Sequence, residues 1–167
     1  MSAKLDEKDS AILTLIQQDS KLTAKQIAKK VKAPLTTVFA KIKRMEEQGI
    51  IRDYRAIVAP EKLNAGTAAF ILASVSYRTK ADDVPISQRI VAEEISRFPE
   101  VQEVHIITGD WDLLIKLRAE NVETVGKFVV DKLRLTKGLE KTLTCMVFKT
   151  VKETTEVVVP LRKLEKT

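Results

Sequence analysis

The sequence predicts an α+β protein in two parts. A three-helix unit over residues 1–60 precedes a β-α-β-β-α-β sandwich over residues 61–153, and a tail follows at 154–167. Three observations carry this. Apolar residues recur at helical spacing through the first fifty positions. Beyond residue 66, β-branched runs alternate with helical segments. Between the two regimes Pro60, Asn64 and Gly66 interrupt the chain.

The first helix is expected to start at Asp6, a good N-cap, with Asp9 in its first turn and Ala11, Ile12, Leu15 and Ile16 as its apolar stripe. Asp19-Ser20-Lys21 ends it. Thr23 opens the second helix, and Gln26 three residues on completes a capping box. Ala24, Ile27, Ala28 and Val31 give that helix a small apolar face. Pro34 breaks the pattern and suits the first position of a new helix, running from about Leu35 to Gln48. Leu35, Val38, Ile42 and Met45 form its buried stripe, and Gly49 stops it. Residues 50–58 mix β-branched and charged side chains and read as a strand or short wing.

In the second part, residues 67–77 read as a strand. Residues 85–98 read as a helix with Ile86, Ile90, Val91, Ile95 and Phe98 apolar. Two strands follow, 101–108 and 111–118, joined by a turn at Gly109-Asp110. Asn121 caps a helix burying Val122, Val125, Phe128, Val129 and Leu133, and residues 139–151 form the last strand. This order is that of a ferredoxin-like sandwich, with helices on one sheet face and the other face bare for dimerisation. The tail, with Val157–Val159, either adds an edge strand or frays.

Composition narrows the functional classes. No apolar run reaches the roughly 18–20 residues that span a bilayer. The opening charges, Lys4, Asp6, Glu7, Lys8 and Asp9, leave no apolar leader core, so the expected location is the cytoplasm. Cys145 and His105 are each the only one of their kind, too few for a disulfide or a metal site. Cys145 is expected to be a small buried strand residue. The formal charge is +6 and unevenly spread. Residues 1–60 hold twelve Lys and Arg against seven Asp and Glu, whereas the remainder is nearly balanced. From Ser20 to Met45 there are eight bases and no acid, which points to a polyanionic partner.

A helix-turn-helix places its second helix in the major groove. Here Thr36 and Thr37 lie in the first turn of that helix, with Lys41 and Arg44 one and two turns on as base or phosphate contacts. Lys25, Lys29, Lys30 and Lys43 suit phosphates, and Arg52 and Arg55 on the wing suit the backbone or a minor groove. The second candidate site is the loop Thr108-Gly109-Asp110-Trp111-Asp112. Its backbone N–H groups and Thr108 can hold a carboxylate, and Asp110 or Asp112 an ammonium group, which together suit an amino acid. An ordinary hairpin turn has the same composition. The paired carboxylates come with no nucleophile, histidine base or metal cluster, so catalysis is not expected. An RNA-recognition module shares the strand order but stacks bases on sheet aromatics, and the central strands offer only Trp111. A low-specificity, nucleoid-type DNA coat remains the alternative to a site-specific regulator.

The chain resembles the Lrp/AsnC (leucine-responsive/asparagine-responsive) family of transcriptional regulators over about residues 4–153. Leu5-Asp6-x-x-Asp9-x-x-Ile12-Leu13 is similar to that family's first helix. The stretch from Val38 through Ile42, Arg44-Met45-Glu46 and Gly49-Ile50-Ile51 is similar to its recognition helix and exit. Gly109-Asp110-Trp111-Asp112-Leu113-Leu114 resembles its Gly-x-aromatic-Asp signature, and Thr142-x-Thr144 the paired hydroxyls of its last strand. The resemblance implies a homodimer through the C-terminal sheets, assembling further to tetramers or octamers. It also implies an amino-acid effector near residues 108–112, with Thr142 and Thr144 contributed by a neighbouring subunit. Pro34 stands where the family often has Ser, and Lys41 where Arg is common; lysine lacks the fork that reads guanine.

Overall fold

The computed structural model describes residues 5–76 and 85–159. The chain divides into two compact units: Met1–Ile57 with Lys152–Thr167, and Val58–Val151.

The first unit holds α1 (Glu7–Gln18), α2 (Ala24–Val31) and α3 (Leu35–Glu47). Local chemistry sets their starts. Asp6 caps α1 by accepting from the Asp9 N–H while Asp9 accepts from the Asp6 N–H, a reciprocal box. Thr23 and Gln26 repeat the arrangement on α2. Lys32 ends α2 in the left-handed conformation, φ 50°, and turns the chain sharply into α3. Pro34 occupies the N-cap of α3, one position earlier than expected, and with no side-chain hydroxyl it leaves that helix without a capping bond. Ile12, Leu13, Ile16, Ile27, Ala28, Val38 and Met45 are the buried core. Leu35 was expected in that stripe but is 43% exposed, because it starts the helix at the rim of the core.

Residues 52–59 form no strand. They are largely exposed, Ile57 to 93%, and no neighbouring segment of the described chain offers them ladder hydrogen bonds. The Tyr54 hydroxyl donates to Glu46 Oε1 at 2.8 Å and ties this exit to α3. The end of the chain returns to the first unit. Gln17 clamps the backbone of Val157, donating to its carbonyl at 3.0 Å and accepting from its N–H at 2.8 Å, and Val159 packs against the core. The tail therefore forms no edge strand over its described part. Residues beyond 159, like Tyr77 at the end of the first expected strand, lie outside the described residues.

The second unit runs β1 (Thr67–Val75), α4 (Gln88–Ile95), β2 (Val101–Ile106), β3 (Leu113–Ala119), α5 (Val122–Lys127) and β4 (Leu139–Met146). The sheet order is β2-β3-β1-β4, antiparallel throughout. Alternation decides the faces. Ala69, Ile71, Ala73 and Val75 of β1 and Leu113, Ile115, Leu117 and Ala119 of β3 are buried against Val91, Ile95, Val125, Phe128 and Leu133. The opposite face carries Phe70 and Leu72, in register with Lys116 and Leu114 on one side and Cys145 and Leu143 on the other. Cys145 is thus exposed, not buried, because its position in the β4 register falls on the bare face. Ile90 (65%) and Val122 (64%) are also exposed: α4 and α5 are short, and each turns only one narrow stripe inward.

Asn121 caps α5 through the Thr124 N–H. The helix continues through a wider turn at Phe128–Lys132 and a tight one at Leu133–Leu135. Gly138, at φ 91°, then reverses the chain into β4. A Cβ at this position would lie 2.7 Å from Ile86 Cγ2. Gly138→Ala should therefore lower the stability of this unit by about 2 kcal/mol, through positive-φ strain together with the clash. Urea denaturation of wild type and variant measures it, and an unchanged midpoint would mean that Ile86 moves aside freely.

Candidate nucleic-acid interface and effector loop

The α2–turn–α3 unit presents a cationic surface. Lys25, Lys29 and Lys30 are exposed on α2, and Thr36 and Lys43 on α3, with Thr37 half-buried beside them. Lys43 makes a long, exposed i,i+4 contact of 3.7 Å to Glu47, too weak to hold it. Beyond the helix Arg52 is exposed, and Arg55 pairs with Asp53 at 3.0 Å.

Lys41 and Arg44, expected as base or phosphate contacts, both face an aspartate of α1. Asp9 is 1% exposed at the start of α1, facing α3. Lys41 Nζ lies 3.0 Å from Asp9 Oδ1 and 2.5 Å from Asp6 Oδ2, and its side chain is only 14% exposed. Arg44 Nη2 approaches Asp9 Oδ2 to 2.6 Å, an ion pair that is not aligned as a hydrogen bond. Burial alone would lower the Lys41 ammonium, but the two carboxylates outweigh it and hold it above its ordinary value. The Lys41 hydrogen bond, helped by the Asp9 N–H, pulls the Asp6 carboxyl from 3.8 down to about 2. The folded value is the lower one, so this stabilisation is complete above about pH 4 and fades as pH falls toward 2. Thermal melts from pH 5 to 2 should show Asp6→Asn less stable than wild type at pH 5 and converging with it at the acid end. A constant gap would assign the loss to the cap, not the charge.

The second site lies at the β2–β3 connection. Gly109 takes φ 122°, and Thr108, Gly109 and Asp110 are exposed. Asp112 is internal to the loop's construction. Its Oδ2 accepts from the Val75 N–H at 2.7 Å and its Oδ1 from Gln88 Nε2 at 2.6 Å. Its own N–H donates to the Ala73 carbonyl at 3.0 Å, and its carbonyl accepts from the Ile107 N–H at 2.8 Å. One residue thus ties the loop to the end of β1 and the start of α4. Trp111 precedes β3, with the Lys141 ammonium 5.1 Å from its ring centroid. Thr142 and Thr144 pair with Ala73 and Ile71, so β1 separates them from β3 and the loop by about 10 Å. Thr142 lines a polar hollow of about 260 Å³ with Arg134, Leu139 and Glu140.

Three contributors escaped the sequence reading. Gln88 and Lys141 support the loop from distant positions, and no local pattern marks them. Phe39 is 59% exposed on α3. Its signal was present, since it falls outside the Val38–Ile42–Met45 stripe that the helix buries.

Comparison with known proteins agrees with this layout. Residues 5–52 match a winged helix-turn-helix DNA-binding domain, and residues 70–157 the Lrp/AsnC ligand binding domain. An HTH-type transcriptional regulator of Pyrococcus horikoshii is 43% identical over 149 residues, covering 89% of this chain and 96% of the relative. The regulator FL11 of Pyrococcus abyssi is 36% identical, covering 94% and 98%. A transcriptional regulator from Neisseria meningitidis, solved as its L-Met complex, superposes with a TM-score of 0.82 at 30% identity, covering 92% and 96%. Fold and matches together define a DNA-binding transcriptional regulator with a ligand-binding domain, not an enzyme. The chain belongs to the Lrp/AsnC family. Among the described residues no helix is long and apolar enough to cross a membrane.

Proposed function

We propose that this protein is a site-specific regulator that binds double-stranded DNA as a homodimer and responds to an amino acid. The cationic α2–α3 surface carries the first part. It sets exposed Lys25, Lys29, Lys30 and Lys43 around the accessible N-terminal half of α3, the arrangement that grips phosphates while a helix enters the groove. Dimerisation is supported by the bare sheet face, where Phe70 of the inner strand β1 and Leu143 of the edge strand β4 lie exposed. Larger tetramers or octamers would build on that dimer. Amino-acid sensing is supported by the loop 108–112, by the polar hollow at Thr142, and by the L-Met bound in the Neisseria relative. Thr108, Gly109, Asp110 and Trp111 are the effector contacts of this reading, with Thr142 and Thr144 supplied from a neighbouring subunit.

The test is a footprint on the protein's own promoter in excess competitor DNA, with and without a panel of amino acids. The expected result is protection at half-sites about 34 Å apart that shifts with one amino acid. Binding should fall steeply with salt, reporting phosphate contacts. Uniform protection without phasing would replace the site-specific reading by a low-specificity DNA coat.

A further inference from the structure

We infer that Phe39 is a specificity-determining residue that reads a thymine methyl group in each DNA half-site. The inference rests on the site-specific DNA-binding reading above. On α3, Thr36, Phe39, Ala40 and Lys43 fall at i, i+3, i+4 and i+7 and share one face, and all four are exposed. Lys41 and Arg44 lie on other faces of α3 and are turned toward Asp6 and Asp9. This face of the helix is a phenylalanine ring flanked by a hydroxyl, a methyl and the Lys43 ammonium group, with the exposed Glu47 carboxylate one turn further on.

A 59% exposed Phe contributes little to the core, and it is a poorer helix former than alanine. Among the described residues Phe39 belongs neither to the core cluster nor to an aromatic pair. The neighbouring Ala40 keeps the helix slim enough for close approach, and Lys43 with the α2 lysines supplies the charge that draws this face to DNA. In the major groove the apolar feature that such a ring can contact is the C5-methyl of thymine, a known partner of Phe, Ala and Thr methyl groups.

The experiment uses the full-length protein. A binding motif is first selected from random duplexes. Each thymine of the selected duplex is then replaced by uracil, which removes only the methyl group. Wild type should lose about fourfold in affinity at one thymine per half-site, the effect of one buried methyl. Phe39→Ala should bind the thymine and uracil duplexes equally, and Phe39→Leu should keep part of the discrimination. Lys43→Ala should weaken both duplexes alike. Wild-type indifference to every methyl, or unchanged discrimination in Phe39→Ala, overturns the inference while leaving the regulator reading intact. A Phe39→Ala change in oligomeric state, with methyl sensitivity retained, overturns it in favour of a protein contact. Failure to select any motif removes the site-specific reading itself, and this inference with it.

Discussion

Asp9→Ala should destabilise the N-terminal unit by about 3–5 kcal/mol, the range for removing one partner of a buried ion pair. Asp9 is 1% exposed and faces two cations, Lys41 and Arg44. Without it, among the described residues Lys41 keeps only Asp6, while Arg44 loses its one paired carboxylate. The reciprocal bond to the Asp6 N–H disappears as well, which opens the first turn of α1. The Arg44 side chain is 43% exposed and can recover some hydration, which places the effect at the lower end of the range. The contact also crosses from α1 to α3, so it fixes how the recognition helix sits on its scaffold. DNA affinity should therefore fall together with stability. Asp9→Asn keeps an acceptor for the Asp6 N–H but no charge, and should fall between the two. Urea denaturation of the three proteins, followed by far-UV circular dichroism, measures this. A loss below about 1 kcal/mol for Asp9→Ala would show that the two cations regain water without hindrance.

That cluster also shows which parts of the molecule are legible in a sequence. The Thr23–Gln26 capping box spans four residues and could be read directly, as could the Asp6 and Asn121 caps and the strand composition of β1. Strand order followed from element order. What was not legible depended on distance. Lys41 and Arg44 have helical spacing that suits base contacts, but their direction is set by an aspartate more than thirty residues earlier. Residues 50–58 have strand composition, yet a strand exists only where a second segment pairs with it. Cys145 and Val122 were assigned to the core by their apolar character, whereas register and helix length turned them outward. The loop signature at 109–112 was visible, but its brace through Gln88 and Val75 was not, because both come from other elements.

The second large effect is expected at that brace. Asp112→Ala removes the acceptor of the Val75 N–H and the partner of Gln88, two bonds to a charged group, and should cost the second unit about 2–4 kcal/mol. Loss of the effector response in this variant alone would be ambiguous, since a loosened loop and a missing ligand contact have the same outcome. Asp112→Asn separates them. Its amide oxygen can still accept from Val75, and Gln88 can turn its own oxygen toward the new amide nitrogen, so most of the stability should remain. Only the negative charge is lost. If Asp112 serves as the brace, as its two internal hydrogen bonds favour, Asp112→Asn should respond to the amino acid nearly as wild type does. The ammonium group of the effector would then be met elsewhere, with Asp110 the nearest exposed carboxylate in the loop. If Asp112→Asn folds normally but no longer responds, the carboxylate itself contacts the effector. Calorimetric titration of the responsive amino acid, beside a thermal melt of each variant, distinguishes these cases.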